Sequence, residues 1–249
     1  MRRIARVARQ LYLASENVNY EIGCNGEALV IAAVAKASGP GATAFDVGAN
    51  VGEWTTRAAG HFSRVVSFEV VPAIHRRLAQ ACQGLGNVTL ENLGLGETSG
   101  ELTFHYAPER GDLASAVGGL HGGSFDEQSI RCPVVTGDEY CAARGVQKID
   151  LLKVDVEGFE PQVLRGFKGM LHAGAVRVVQ VEYNVVNIHT RWLLADYYTL
   201  FREFGMMVGK IYPDHVEFRE YRYEHEDFLG PNYLAVRATD EVMIRALQG

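Results

Sequence analysis

At 249 residues, with 47% hydrophobic and 22% charged residues, the chain suits one large α/β domain with a sizeable core, in the range of an ordinary globular enzyme. A formal net charge of -6 argues against the basic surface that a nucleic-acid backbone demands, and favours a small-molecule partner. Cys24, Cys82, Cys132 and Cys141 are scattered and form no CxxC pair, so zinc and disulfide frameworks are excluded in favour of reduced thiols in the cytoplasm. No apolar run approaches the roughly 20 residues that span a bilayer.

Residues 1–38 read as a helical segment. Its first part sets Arg2, Arg3, Arg6 and Arg9 among Ile4, Val7, Leu11 and Leu13 at near-helical spacing. Two readings fit: a helix lying on an anionic membrane near a lipid-linked acceptor, and a helix packed on the domain with a solvated basic face. The second is the expectation. No apolar run followed by a cleavage signal marks a secretory leader.

Beyond residue 38, short β-branched runs alternate with helical stretches. Strands are predicted at 43–47, 64–69, 88–91, 149–154 and 176–182, and helices at 54–62, 73–83, 138–144 and 162–171. This is the βαβ rhythm of a doubly wound, Rossmann-like sheet in a single domain over residues 1–249. A helix at 196–204 and strands at 207–212, 216–221 and 232–236 add an antiparallel C-terminal edge. Residues 220–227 read as an exposed strand. The rhythm breaks at 100–136, an inserted hairpin whose middle holds Gly118, Gly119, Gly122 and Gly123 around His121; it reads equally as a mobile lid and as a surface excursion.

The segment Phe45-Asp46-Val47-Gly48-Ala49-Asn50-Val51-Gly52-Glu53-Trp54 leaves a strand, turns on glycines and begins a helix. A dinucleotide fingerprint needs G-x-G-x-x-G, but Asn50 and Glu53 take its second and third glycine positions. Glu53 would set an anion against a pyrophosphate. A carboxylate at Asp46 suits a cationic ligand, and S-adenosylmethionine carries both an ammonium and a sulfonium. Glu69, about twenty residues on, stands where a carboxylate grips ribose hydroxyls.

These residues, with Phe68-Glu69-Val70-Val71-Pro72, Asn92-Leu93-Gly94-Leu95-Gly96 and above all Asp150-Leu151-Leu152-Lys153-Val154-Asp155-Val156-Glu157-Gly158-Phe159-Glu160, resemble the FkbM family of methyltransferases. Val163-Leu164-Arg165-Gly166 and Asn25-Gly26-Glu27 extend the resemblance, which runs from about residue 25 to 184. It implies the methyltransferase form of the sheet, with S-adenosylmethionine held by Asp46, Gly48, Asn50 and Gly52 at its methionine end, by Glu69 at the ribose and by Asn92 and Leu93 near the adenine. It also implies O-methylation of a hydroxyl on a sugar, polyketide or related metabolite, and no particular oligomeric state. One departure is Gly137, which precedes Asp138 where the family usually has leucine.

Methyl transfer is an in-line displacement, and a hydroxyl acceptor needs help losing its proton. Asp155 ends a core strand at the sheet edge where ligands bind, and His189 follows the next strand in a loop, a residue type used as a general base. Either is a candidate base. Alternatively Asp155 and Glu182 hold Mg2+, which lowers the acceptor pKa. Glu157 points the same way as Asp155 if the strand continues, and Lys153 reads as a structural partner for a neighbouring acid. Two other functions stay open: an NAD-dependent oxidoreductase and a non-catalytic binding protein that keeps the fold.

Overall fold

The computed structural model describes residues 2–106, 114–117 and 128–249. The glycine cluster 118–123, on which the lid reading rests, lies outside the described residues.

The N-terminal segment forms two helices, α1 (Arg2–Ser15) and α2 (Glu27–Ser38). Then come β1 (Thr43–Val47), α3 (Glu53–Ala59), β2 (Arg64–Phe68), α4 (Pro72–Ala81) and β3 (Val88–Glu91). Next come β4 (Gly94–Leu95) and, from the insertion, β5 (Gly100–Tyr106), β6 (Ala114–Ser115) and β7 (Gln128–Val135). The second half runs α5 (Gly137–Arg144), β8 (Ile149–Val154), α6 (Glu160–Gly166), α7 (Lys168–His172), β9 (Val176–Glu182), α8 (Val186–Thr190) and α9 (Leu194–Glu203). It ends with β10 (Met206–Ile211), β11 (Val216–Phe218), β12 (Asn232–Arg237) and α10 (Glu241–Gln248).

The main sheet has eight strands in the order β11-β10-β12-β9-β8-β1-β2-β3. The run β9-β8-β1-β2-β3 is parallel, whereas β12 inserts antiparallel between β9 and β10. The expected architecture is therefore present, antiparallel edge included. β8 is buried at all six positions because helices cover both faces of the sheet. On one face, Val30, Ile31 and Val34 of α2, Trp54 and Ala58 of α3, and Met243 and Leu247 of α10 form one apolar layer. On the other, Tyr140, Val163, Leu164, Phe167, Tyr197 and Phe201 pack with Phe45 and Phe68. The insertion joins β4 in a separate small sheet, β4-β7-β5-β6, with β5 and β7 as its antiparallel pair.

Three expectations need correction. The helix expected over 162–171 is broken into α6 and α7 at Phe167, whose ring is wholly buried. The strand expected at 220–227 is absent: β11 ends at Phe218, and a single 3-10 turn occupies Tyr223–His225. There Tyr221 turns inward to meet the Tyr198 ring at 5.6 Å, and a side chain drawn to the core cannot keep the alternation of an exposed strand. The third concerns α1, expected to pack its apolar stripe on the domain. Ile4, Val7 and Leu11 are instead 74%, 50% and 67% exposed.

The departure at Gly137 has a packing cause. A Cβ built there would lie 2.5 Å from the Phe167 ring, which fills the space a larger residue would take. Gly137→Leu is therefore expected to overpack this layer and cost about 1–3 kcal/mol, measured by urea unfolding. A neutral result would mean that Phe167 relocates freely.

Candidate functional site

The ends of β1, β2 and β8 and the turns that follow them enclose a cleft of about 330 Å³, the low end of the usual range for small-ligand sites. Its floor is fixed by a close approach of two chain segments. Gly48, at φ 84°, lies so near the turn after β8 that a Cβ would sit 1.8 Å from the Asp155 carbonyl oxygen, and only glycine fits. The Gly48 and Ala49 N–H groups both donate to Phe68 O, at 3.1 and 2.9 Å, and Asp155 N donates to Val47 O at 3.0 Å. Gly52 (φ 94°) caps α3 and makes room for Leu78 of α4, whose Cδ1 a Cβ would meet at 2.8 Å. Gly52 does not line the cleft; Gly48 and Asn50 do.

Glu69 lines the cleft and also holds it open. Its Oε2 accepts from Asn50 N at 3.0 Å and its Oε1 from Val71 N at 2.9 Å, joining the glycine turn to the start of α4. Burial pushes its carboxyl up to about 7, against the pull of those two N–H groups. The folded chain thus keeps the proton to about pH 7, whereas the unfolded chain releases it near the ordinary 4.5. Stability from this group is complete below the unfolded value and is lost as the pH rises through the folded one. The ligand-free protein is accordingly expected to lose Tm between about pH 5 and 7.5, more steeply than Glu69→Gln. Glu160, pushed up to about 7 mainly by burial, adds the same trend to both proteins. Equal slopes in the two proteins would show that Glu69 does not titrate in this window.

Leu93 lines the cleft, but Asn92 beside it does not. Asn92 is exposed, and its amide donates to Glu69 O at 2.7 Å and Val70 O at 3.1 Å, latching the end of β3 to that of β2. Asp46 is likewise behind the wall. It is fully buried, accepts from Thr55 Oγ1 at 2.6 Å and faces Lys153 Nζ at 3.5 Å.

Lys153 is the hub of the floor. Its ammonium also donates to Asp155 Oδ2 at 3.0 Å. Burial opposes its charge, but the carboxylates of Asp155, Asp46 and Glu27 outweigh that and hold it protonated well above the ordinary lysine range. Glu27 is itself gripped by Gln180 Nε2 at 2.6 Å and Asn25 Nδ2 at 2.7 Å. The Asn25-Gly26-Glu27 element thus supplies a side chain to the cleft, a role its position twenty residues before the glycine turn does not reveal.

Asp155, Glu157 and Glu182 converge: one ligand atom from each lies within 4.8 Å of the others. β8 stops at Val154, so strand alternation does not produce this convergence. A turn does, with Glu157 at φ 53° and Gly158 at φ 94°. The left-handed conformation is costly for a glutamate, and here it aims the side chain back at the cleft. Burial, then the charge of Asp155, pushes Glu157 up to about 8. Asp155 and Glu157 line the cleft. His189 does not; it is exposed on the short helix α8. Tyr20, Ile22, Trp54, Phe104 and Phe159 complete much of the wall. Sequence reasoning assigned none of them to the site: Tyr20, Ile22 and Phe104 come from segments with no local motif, and Trp54 and Phe159, though inside the quoted motifs, are apolar side chains that read as core.

With this geometry in place, comparison with known proteins supplies the family. The family described as the methyltransferase FkbM domain matches residues 46–224, and the chain belongs to it. The hexuronic acid methyltransferase AglP of Haloferax volcanii is 31% identical over 146 residues, which cover 58% of this chain and 55% of that protein. The chain thus spans about half the length of this relative. Among solved structures, a methyltransferase FkbM from Methylobacillus flagellatus KT superposes with a TM-score of 0.46 at 16% identity, covering 78% of this chain and 43% of the other. A SAM-dependent methyltransferase from Agrobacterium tumefaciens gives 0.46 at 11% identity, covering 83% and 58%. Among the described residues, no helix is long and apolar enough to cross a membrane.

Proposed function

We propose that the chain, as one domain over residues 1–249, transfers a methyl group from S-adenosylmethionine to a hydroxyl of a sugar, polyketide or related metabolite. The observation that carries this reading is the charge of the cleft. Among the described residues Glu27, Glu53, Glu69, Asp155 and Glu157 line it against Lys153 alone. Glu69 and Glu157 hold their protons to about pH 7 and 8 in the empty cleft, and a cationic donor would favour their ionised forms, whereas the pyrophosphate of a dinucleotide would be opposed by the same acids, which disfavours the oxidoreductase reading.

The donor set fits the cofactor. Glu69 would meet ribose hydroxyls with the lone pairs its two N–H bonds leave free, Gly48 and Asn50 would flank the methionine end, and Leu93 and Ile74 offer an apolar wall for the base. Asp46, Gly52 and Asn92 act from behind that wall as positioning residues. S-adenosylmethionine, when bound, supplies an electrophilic methyl carbon on a sulfonium. The pair Asp155 and Glu157 orients the acceptor hydroxyl and takes its proton. Glu157, raised to about 8, gains its base form as the pH rises towards that value, while Lys153 fixes Asp155. The hexuronic acid in the AglP name supports a glycosidic acceptor.

Calorimetry with S-adenosylhomocysteine, followed by a methyl-donor assay over hydroxylated metabolites, tests the proposal. Asp155→Asn and Glu157→Gln are expected to keep S-adenosylhomocysteine binding and to lower kcat by about 10²–10⁴-fold. A protein that binds neither form of the cofactor refutes the reading, and one that binds it without turnover on any acceptor favours a binding protein. The convergence of Asp155, Glu157 and Glu182 favours a second reading of the same acids, in which they hold Mg2+ and the metal lowers the acceptor pKa. Activity unchanged by a chelator would eliminate it.

A further inference from the structure

Helix α1 carries four arginines and no acidic residue, in a chain whose net charge is -6. Ile4, Val7 and Leu11 recur at helical spacing on one face, where they are largely exposed. Arg6 and Arg9 fall about half a turn away from that stripe. The helix is tied to the body by its C-terminal end: Tyr12 Oη donates to Asp227 Oδ2 at 3.3 Å, and Lys210 Nζ to Glu16 Oε2 at 3.1 Å. Just beyond the helix, Asn17 Nδ2 donates to Ile211 O at 2.9 Å and Asn25 O at 2.8 Å. An apolar stripe backed by arginines, fixed at one end and exposed along its length, is the pattern of a helix that lies flat in a lipid headgroup layer.

We infer that α1 docks the protein on an anionic bilayer surface, with Ile4, Val7 and Leu11 below the headgroups and Arg6 and Arg9 near the lipid phosphates. Charge decides between occupants. The polar face of α1 carries arginines and no acid, which a second copy of the same helix cannot complement, whereas an anionic lipid surface neutralises it. The inference concerns a surface outside the cleft and stands whether or not the methyl-transfer reading does.

The test is co-sedimentation of the full chain with phosphatidylglycerol–phosphatidylcholine vesicles and with phosphatidylcholine vesicles alone, at low and high salt. Binding is expected on the mixed vesicles only and is expected to weaken in salt. The double variant Ile4→Glu/Leu11→Glu, and separately Arg6→Gln/Arg9→Gln, should each reduce it about tenfold or more. These residues are exposed, so the thermal unfolding transition of both variants should match that of the wild type; a variant that unfolds early would show that α1 is packed and would overturn the inference. So would absence of binding to the mixed vesicles, equal binding to both vesicle types, or retention of binding in the Glu variant. A dimer in analytical ultracentrifugation that Ile4→Glu/Leu11→Glu abolishes, without vesicle binding, would assign the stripe to a second copy instead.

Discussion

Lys153→Met is expected to destabilise the protein by about 3–5 kcal/mol near neutral pH, because it removes the one cation from a buried cluster of carboxylates. Asp46 is fully buried with a single hydroxyl, that of Thr55, donating to it, and Lys153 balances its charge and that of Asp155 from 3.5 and 3.0 Å. Methionine fills most of the lysine volume, so the loss reads charge more than packing. The orphaned carboxylates would respond by taking up protons, so the deficit should shrink as the pH falls towards 5. Urea unfolding at two pH values checks both parts. A deficit under about 1 kcal/mol, or one independent of pH, would mean that the ion pairs are worth no more than exposed ones.

Glu69→Ala is expected to weaken S-adenosylhomocysteine binding by about a hundredfold or more, since charge-assisted hydrogen bonds are worth about 1.5–3 kcal/mol each and tenfold is 1.4 kcal/mol. The side chain serves two sets of donors. Its oxygens accept from Asn50 and Val71, so its loss frees the glycine turn as well as removing the proposed ribose contact. Glu69→Gln separates the two effects in part: one amide oxygen still accepts, while the amide nitrogen faces a second N–H that it cannot serve. Glutamine should therefore bind worse than wild type even though its shape is retained. Full affinity in Glu69→Ala would exclude this carboxylate from the site.

The parallel core was legible because its strands are short β-branched runs bounded by turn residues. β1, β3, β8 and β9 begin and end where the sequence places them. Asp155 was legible for a related reason, since a carboxylate at the end of a buried strand stands out against apolar neighbours. Less was visible where tertiary packing overrides local pattern. The break at Phe167 depends on a ring buried against Gly137, and Tyr221 leaves its strand pattern to meet Tyr198. Asp46, Asn92 and Gly52 stand at strand ends and turns beside the cleft, but whether a side chain faces a cavity or braces it from behind depends on partners such as Thr55 and Leu78, which lie in other elements. Glu157 reaches the cleft through a left-handed turn that periodicity does not describe.

The residues that match the family begin at 46, yet the cleft does not begin there. Tyr20, Ile22 and Glu27 stand in its wall, and Val30, Ile31 and Val34 fill the layer beneath β1 and β8. Excising everything ahead of β1 would therefore strip a counter-charge from Lys153 and an apolar lid from one face of the sheet in a single cut. Whatever a family boundary suggests about modularity, the smallest piece of this chain able to stand alone has to carry its preceding helix with it.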